Sequence, residues 1–324
     1  MLNHPDSSRQ KQLLPEQLQK AYLPEPPVDV LLLDGTDVID FLHRMSTNEV
    51  RDLVEATGKT TIFTNEKGRI IDVVDLYYLN GSVHVVYSRE AKDAIKHIFG
   101  KYVIMEDISV SDYSEYTCIL GLDGSTGSKE VFSGEAGSIE MSSPRIFPGG
   151  KLFYIHKDKT GKFDLIKNGK PVDMTTFNSL RLELGIPLPG SDYDESVNPL
   201  ESNLQQFINW TKGCYIGQEV IARLDTYQKI KRFLKGIVLD AILPDEVIDR
   251  INSNAIELNV TTENNSPAGR VTSIGYSPNL QTSIAMARFE KGKETTGNRV
   301  KLSIGDSQYS GKIVDLPFIK GENG

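Results

Sequence analysis

The apolar positions of the chain change period several times, and each change marks an element. The run 28–33 is short and apolar, closed by Asp34-Gly35, which predicts a strand. Beyond it Val38, Phe41, Leu42 and Met45 recur at i, i+3, i+4 and i+7, one face of a helix, with Thr36 as the candidate N-cap. The β-rich runs 60–64 and 69–79 flank Asn65-Glu66-Lys67-Gly68. Asn80-Gly81 is a two-residue turn signal, and Val83, Val85 and Tyr87 alternate after it. Ser88 is placed to cap a helix over 89–99 that Gly100 closes, and strands are expected near Ile108 and over 117–122. Hairpins interleaved with helices predict an antiparallel α+β unit rather than a doubly wound sheet.

The middle of the chain is read less evenly. Residues 121–137 are rich in Gly and Ser and predict a loop or boundary, and strand signals resume over 151–156. The stretch 173–185 is the clearest helix: Phe177, Leu180, Arg181 and Leu184 share a stripe, Asp173 can cap it, and Gly185 with Pro187 ends it. A polar loop over 190–199 carries Asp192, Tyr193, Asp194 and Glu195. From Arg232 onward short β-type runs are punctuated by Pro267, Gly275, Pro278, Gly292 and Gly305, which predicts a small barrel or sandwich.

Composition narrows the class. The chain has 324 residues, 39% of them hydrophobic and 25% charged, with mean hydropathy −0.30, as expected of a soluble protein of two or three domains. No apolar run approaches the roughly 20 residues of a spanning helix, so no membrane partner is expected. The first residues hold no apolar h-region, so no signal peptide is expected either. The two cysteines, Cys118 and Cys214, and the five histidines form no metal-ligand spacing, so no metal site is predicted. A net charge of −8 and a pI near 5.3 disfavour a general nucleic-acid binder. A cytoplasmic, reducing compartment fits these features.

Four features carry candidate chemistry. In TKGCYIGQEVIARL, over 211–224, a glycine-flanked loop meets a helix expected to begin near Gly217. Glu219 falls in its first turn, with Arg223 four residues on as its expected partner. Cys214 lies just ahead of that N-terminus and two residues from Lys212, which favours a reactive thiolate; a small buried hydrophobe is the competing reading. Arg181 sits on the apolar stripe of its helix, so it meets either a buried acid or an anionic ligand. The basic run 229–235 can hold carboxylates or serve as a solvated strand entrance. Asp72, inside a β run, is a proton acceptor, an amine clamp or a solvent-facing strand acid.

The KGCYIGQE stretch, Lys212 to Glu219, resembles the YgfZ-type family, folate-binding proteins of iron–sulfur cluster maturation, with signature K-G-C-Y-x-G-Q-E. All seven defined positions match: Lys212, Gly213, Cys214, Tyr215, Gly217, Gln218 and Glu219. The Arg181-Leu182-Glu183-Leu184-Gly185-Ile186-Pro187 element and Arg223 fit the same pattern. The family lies in the superfamily of the glycine cleavage aminomethyltransferase (T-protein). The resemblance implies a three-domain α+β ring around a central channel, with two antiparallel α+β domains and a C-terminal β-barrel. With the polar stretch that stops at Pro24-Glu25-Pro26-Pro27 read as a mobile lead-in over 1–27, the expected domains are a T-protein-like one over 28–122, a second α+β domain carrying the motif over 123–230, and the barrel over 231–324. The resemblance also implies tetrahydrofolate or a one-carbon derivative as cofactor, held by Lys212, Gly213, Tyr215, Gly217, Gln218, Glu219, Arg181, Glu183 and Arg223. Cys214 would face the channel, and Asp72 would stand as the other catalytic candidate.

Two departures separate the chain from the transferases. Their G-G-x-x-D-D element is reduced to Gly68-Arg69-Ile70-Ile71-Asp72-Val73, with one aspartate, and Phe147-Pro148-Gly149-Gly150-Lys151 lacks the acid of their Y-T-G-E element. The expected function is therefore an accessory role in iron–sulfur cluster assembly or repair, with cluster enzymes or assembly proteins as clients. A folate-dependent aminomethyltransferase or demethylase is the alternative, and a non-enzymatic RNA- or protein-binding scaffold the second.

Overall fold

The computed structural model describes residues 20–122, 131–133, 138–143, 145–147, 149–253, 256–305 and 307–319. Most of the expected lead-in and of the Gly/Ser-rich boundary lies outside the described residues. In chain order the first strands and helices are β1 (Ala21–Pro24), β2 (Val28–Asp34), α1 (Val38–Met45), β3 (Thr57–Thr64), β4 (Ile70–Leu79), β5 (Ser82–Ser88), α2 (Lys92–Tyr102) and β6 (Ser109–Asp112). Then come β7 (Tyr116–Gly121), β8 (Val131–Ser133), β9 (Ile139–Ser142), β10 (Lys151–His156), α3 (Asp164–Asn168), β11 (Lys170–Pro171), α4 (Met174–Glu183) and α5 (Gln218–Thr226). The last part holds β12 (Arg232–Leu239), α6 (Asp245–Asn252), β13 (Asn259–Thr262), β14 (Pro267–Ser277), β15 (Thr282–Glu290), β16 (Arg299–Ile304) and β17 (Ser307–Val314).

The first sheet has the order β3-β4-β5-β2-β6. Asn80 and Gly81 both take the left-handed backbone that a two-residue hairpin requires, with φ of 56° and 82°. Phe41 and Leu42 of α1 and Ile95 and Phe99 of α2 bury against Leu31, Leu33, Val83 and Val85 on one face. Two details differ from the sequence reading. Thr36 does not cap α1; its hydroxyl donates to Asp107 instead. The second helix begins after a 3₁₀ turn at Arg89–Ala91 and runs through Gly100 to Tyr102.

The second sheet has the order β11-β1-β7-β10-β9-β8. It corrects two expected boundaries. Ala21, Tyr22 and Leu23, assigned to the lead-in, are buried in a strand that pairs with β7. β7, assigned to the first domain, pairs with β10 from Tyr116 to Gly121. Both choices are long-range pairings, and three apolar residues between a polar tail and a proline cluster are too few to show a period. Val28 and Val30 of the first sheet and Leu120 and Leu152 of the second close a shared core, which Phe177 and Leu180 of α4 cover.

The C-terminal strands close a barrel in the order β12-β15-β14-β13-β16-β17, filled by Ile237, Val260, Ala285, Phe289, Leu302 and Ile313. The expected α+β class with a terminal barrel is what the chain adopts. α4 lies against β14 so closely that a Cβ at Gly275 would come 2.8 Å from Leu182 Cδ1. A third correction concerns the motif. Residues 197–224 do not extend the second sheet. Val197, Leu200, Leu204 and Ile221 pack with Ile62, Ile70 and Val73 on the first sheet, so the chain returns there before entering the barrel.

Candidate functional site

A hollow of about 160 Å³ lies where these bodies meet. Val73 of β4, Arg145 from the β9–β10 connection, Ile186 just after α4, Tyr193, Gln206 and Phe207 are among its lining. Pockets that enclose whole drug-sized ligands run to about 300–1,000 Å³. This hollow is therefore the size of one ring system, and a ligand tail would lie outside it. Its walls combine two aromatic rings and aliphatic groups with a guanidinium and the primary amides of Asn203 and Gln206, a donor set suited to a flat polar heterocycle.

A buried polar cluster stands behind the wall. Asp72 is fully buried and accepts from the Ser88 backbone N–H at 2.7 Å, the Ser88 hydroxyl at 2.8 Å and the Tyr193 hydroxyl at 3.3 Å. Burial raises its carboxyl above the usual carboxylate range, and the Arg145 charge only partly offsets this. Asp75 is equally buried, its Oδ2 3.2 Å from Arg145 Nε. Two carboxylates thus share one guanidinium. Asp72 reaches the hollow through Tyr193 rather than directly. Arg145, Tyr193 and Phe207 were not singled out from the sequence as site residues; a lone arginine beside Ile146-Phe147 was the only available signal for the first.

The motif loop is built around a buried ammonium. Lys212 Nζ donates to the carbonyls of His43 at 2.5 Å, Ser46 at 2.5 Å and Asn48 at 2.9 Å. Two of these acceptors close the C-terminal end of α1, where orphan carbonyls and the helix dipole both favour a cation. Burial lowers the Lys212 ammonium to about 8. The same burial, helped by Lys212, lowers the imidazole of His43, whose Nδ1 lies 2.9 Å from Glu49 Oε1. Tyr215 is buried with its ring 5.2 Å below Lys212 Nζ. Gly217 has φ 83°, and a Cβ there would come 2.5 Å from Asn65 O, so glycine is demanded. Gly213 meets nothing closer than 3.8 Å.

With Lys212 and Tyr215 turned inward, the residues between them are carried out. Cys214 is exposed, and the described cavities, the central hollow included, do not count it in their lining. It is not part of the lining of the hollow, whereas the resemblance implied a thiol facing the channel. Gln218 is half-buried at the start of α5, and Glu219 and Arg223 are exposed. Among the described residues Glu219 and Arg223 form no ion pair.

Arg181 and Glu183 pin the barrel to α4. Arg181 Nη1 donates to Asp192 Oδ2 at 2.6 Å and to Ile186 O at 3.0 Å, and Nη2 donates to Ser273 Oγ at 2.8 Å. Glu183 accepts from the Ser277 hydroxyl, from Asn279 N at 3.0 Å and from Asn279 Nδ2 at 2.8 Å. Of the two sequence readings of Arg181, the buried ion pair beneath a loop is the one its contacts describe. In the basic run, Arg232 pairs with Glu201 at 3.2 Å and Lys235 with Asp315. Among the described residues no group of His, Cys, Asp and Glu could hold a metal ion, and no helix is long and apolar enough to cross a membrane.

Residues 246–320 match the family described as the glycine cleavage T-protein C-terminal barrel domain. Over nearly its whole length the chain is also similar to the glycine cleavage system aminomethyltransferase T of Bartonella henselae. The TM-score is 0.78 at 16% identity, covering 92% of this chain and 86% of that one. The chain shares the fold of that aminomethyltransferase. It is 27% identical over 325 residues to the mitochondrial aminomethyltransferase of Solanum tuberosum, covering 89% of this chain and 77% of that protein. It is 25% identical over 321 residues to a chloroplast protein of Arabidopsis thaliana that carries the provisional name of a transferase, covering 89% and 68%. The hollow of this chain carries a guanidinium and a tyrosine, with the carboxylates one layer back.

Proposed function

We propose that this chain is a reduced-folate-binding member of the aminomethyltransferase superfamily that acts as an accessory protein in iron–sulfur cluster assembly or repair. The pterin would occupy the central hollow between Tyr193, Phe207 and Val73, with Arg145 donating to its carbonyl edge. Tetrahydrofolate supplies a one-carbon carrier when bound. The chain's own residues hold the ring, keep water out and, through Tyr193, link the hollow to the buried carboxyl of Asp72.

The observation that carries the reading is the division of labour inside the Lys212 to Glu219 motif. Its lysine, Tyr215 and Gly217 are consumed in fixing the loop, while its thiol is left at the surface. A group held rigidly and exposed suits encounter with another macromolecule better than chemistry on an enclosed ring. The single aspartate of the Gly68 to Val73 stretch and its burial behind Tyr193 weigh against methylene transfer.

Two measurements test this. Anaerobic titration with tetrahydrofolate should show binding that Phe207→Ala weakens about tenfold, the scale of one lost ring contact. A Cys214→Ala strain should lose activity of its cluster enzymes while the soluble protein and its folate affinity stay unchanged. Undiminished cluster enzymes would reject the role given to the thiol. Turnover with an aminomethyl-lipoyl carrier would replace the accessory role with the transferase reading.

A further inference from the structure

A second pocket, of about 310 Å³, opens at the seam between the two sheets. It shares no lining residue with the central hollow and has about twice its volume. Its floor follows from strand register. Cys118 of β7 stands directly opposite Tyr154 of β10, and Tyr116, two residues back, shares their face. Tyr113 closes the end, its ring 4.9 Å from Tyr116 and 5.7 Å from Tyr154 between centroids. Val28 and Val30 of β2 supply the opposite, aliphatic wall.

The buried lining residues, Val28, Val30, Tyr87 and Tyr154, are uncharged. The Tyr113 hydroxyl is engaged with His84 Nδ1 at 2.7 Å, and burial lowers that imidazole to about 4, so it is neutral at physiological pH. Burial also pushes the Cys118 thiol up to about 12 and the Tyr154 phenol higher still. The charged lining residues are Glu25, Asp29, Arg89, Lys92 and Asp112; all are exposed but Asp29, which is half-buried and tied to Arg89 at 3.2 Å. The Tyr154 hydroxyl is the exception within. It is buried and, among the described residues, finds no oxygen or nitrogen partner, only the soft thiol of Cys118 opposite. A buried hydroxyl left in this state costs the protein its lost hydration, and a ligand that supplies a partner recovers that loss.

We infer that the seam pocket is a second small-molecule site, built for a neutral, planar one- or two-ring aromatic molecule bearing a hydrogen-bonding group that meets Tyr154. The tyrosine rings offer faces and edges on which a flat ring gains offset or edge contacts that a puckered ring does not. Against the buried part of the lining an ion would lose hydration without compensation, whereas a neutral ring would not. The volume reaches the lower end of the range for sites that enclose such a molecule.

The test uses the whole chain and 2-quinolone, a neutral bicyclic lactam, with its fully saturated analogue as the non-planar control. Ligand-observed NMR and calorimetric titration should show 2-quinolone binding at least about tenfold tighter than the saturated lactam. Tyr154→Phe, which keeps the ring and removes one hydroxyl, should weaken it about fivefold to tenfold. Cys118→Leu fills the floor and should abolish binding, and if that variant fails to fold, Tyr116→Ala should weaken binding instead. Saturating tetrahydrofolate should leave the titration unchanged. Equal affinity for the two lactams, indifference to Tyr154→Phe, or displacement by tetrahydrofolate would each overturn the inference.

Discussion

The junction between α4 and the barrel and the loop of the Lys212 motif are both organised by buried charge, yet they treat it differently. At the junction every charged group is spent internally: Arg181 on Asp192, Ile186 and Ser273, and Glu183 on Ser277 and Asn279. In the loop the inner residues are spent in the same way, but Cys214, Glu219 and Arg223 remain exposed. The contrast shows that a residue type suited to ligand binding can be a pin in one place and a presenter of something else in another. Only the partners distinguish the two.

The largest effect is expected at the junction. Arg181→Ala leaves Asp192 as an uncompensated buried charge, because its carboxylate is fully buried against the guanidinium. Breaking a buried pair from one side costs about 3–5 kcal/mol. Urea unfolding should show that loss, with tetrahydrofolate affinity in the surviving folded fraction unchanged. A variant that kept its stability but lost folate would move Arg181 from the junction to the ligand and erase the contrast.

The loop should come next. Lys212→Met strands three carbonyls and should cost about 2–3 kcal/mol, since hydrogen bonds to a charged group are the stronger class. Gly217→Ala should cost a comparable amount, because a left-handed φ is strained for alanine and the new methyl would meet Asn65 O at 2.5 Å. Gly213→Ala, with nothing nearer than 3.8 Å, should be nearly silent. Thermal unfolding of the two glycine variants side by side measures that difference directly.

Much of this was legible in the sequence, and what was not has a physical cause. The α4 helix was readable from a 3.6-residue stripe and an Asp173 cap, which accepts from Thr176 N at 2.7 Å. The barrel was readable from evenly spaced turn residues. The membership of β1 and β7 was not, because strand pairing across 90 and more residues leaves no local trace. The motif's residues were legible as special, but their directions were not. A loop has no fixed period, so the inward turn of Lys212 and Tyr215, and hence the outward turn of Cys214, is set by the end of α1 far away in sequence. Arg145 and Tyr193 became site residues only through the convergence of three segments.

A smaller effect concerns a buried titrating group, His84. Its folded value is about 4 against an ordinary 6.5, so the folded state prefers the neutral ring. Its contribution is whole above pH 6.5 and is lost as pH falls toward 4, because the unfolded chain takes up the proton first. The slope of melting temperature against pH over that window should be shallower in His84→Gln than in the parent chain. Equal slopes would assign the acid sensitivity elsewhere.

The smallest expected effect on stability carries the most weight for function. Cys214→Ser should change unfolding free energy by no more than about 0.5 kcal/mol, as for an exposed side chain away from caps and cores. It should also leave tetrahydrofolate affinity intact, since the thiol is not part of the hollow's lining. The same loop held by Lys212 should present the serine where the thiol stood, so any loss of cluster-enzyme activity in cells would belong to sulfur chemistry and not to a displaced loop. Accelerated alkylation of Cys214 in Lys212→Met would complete the argument, because the clamp and the thiol would then be coupled through position alone. If Cys214→Ser instead melted several degrees lower, the thiol would be a packed group, and the distinction between a pinned interior and a presented surface would fail where it matters most.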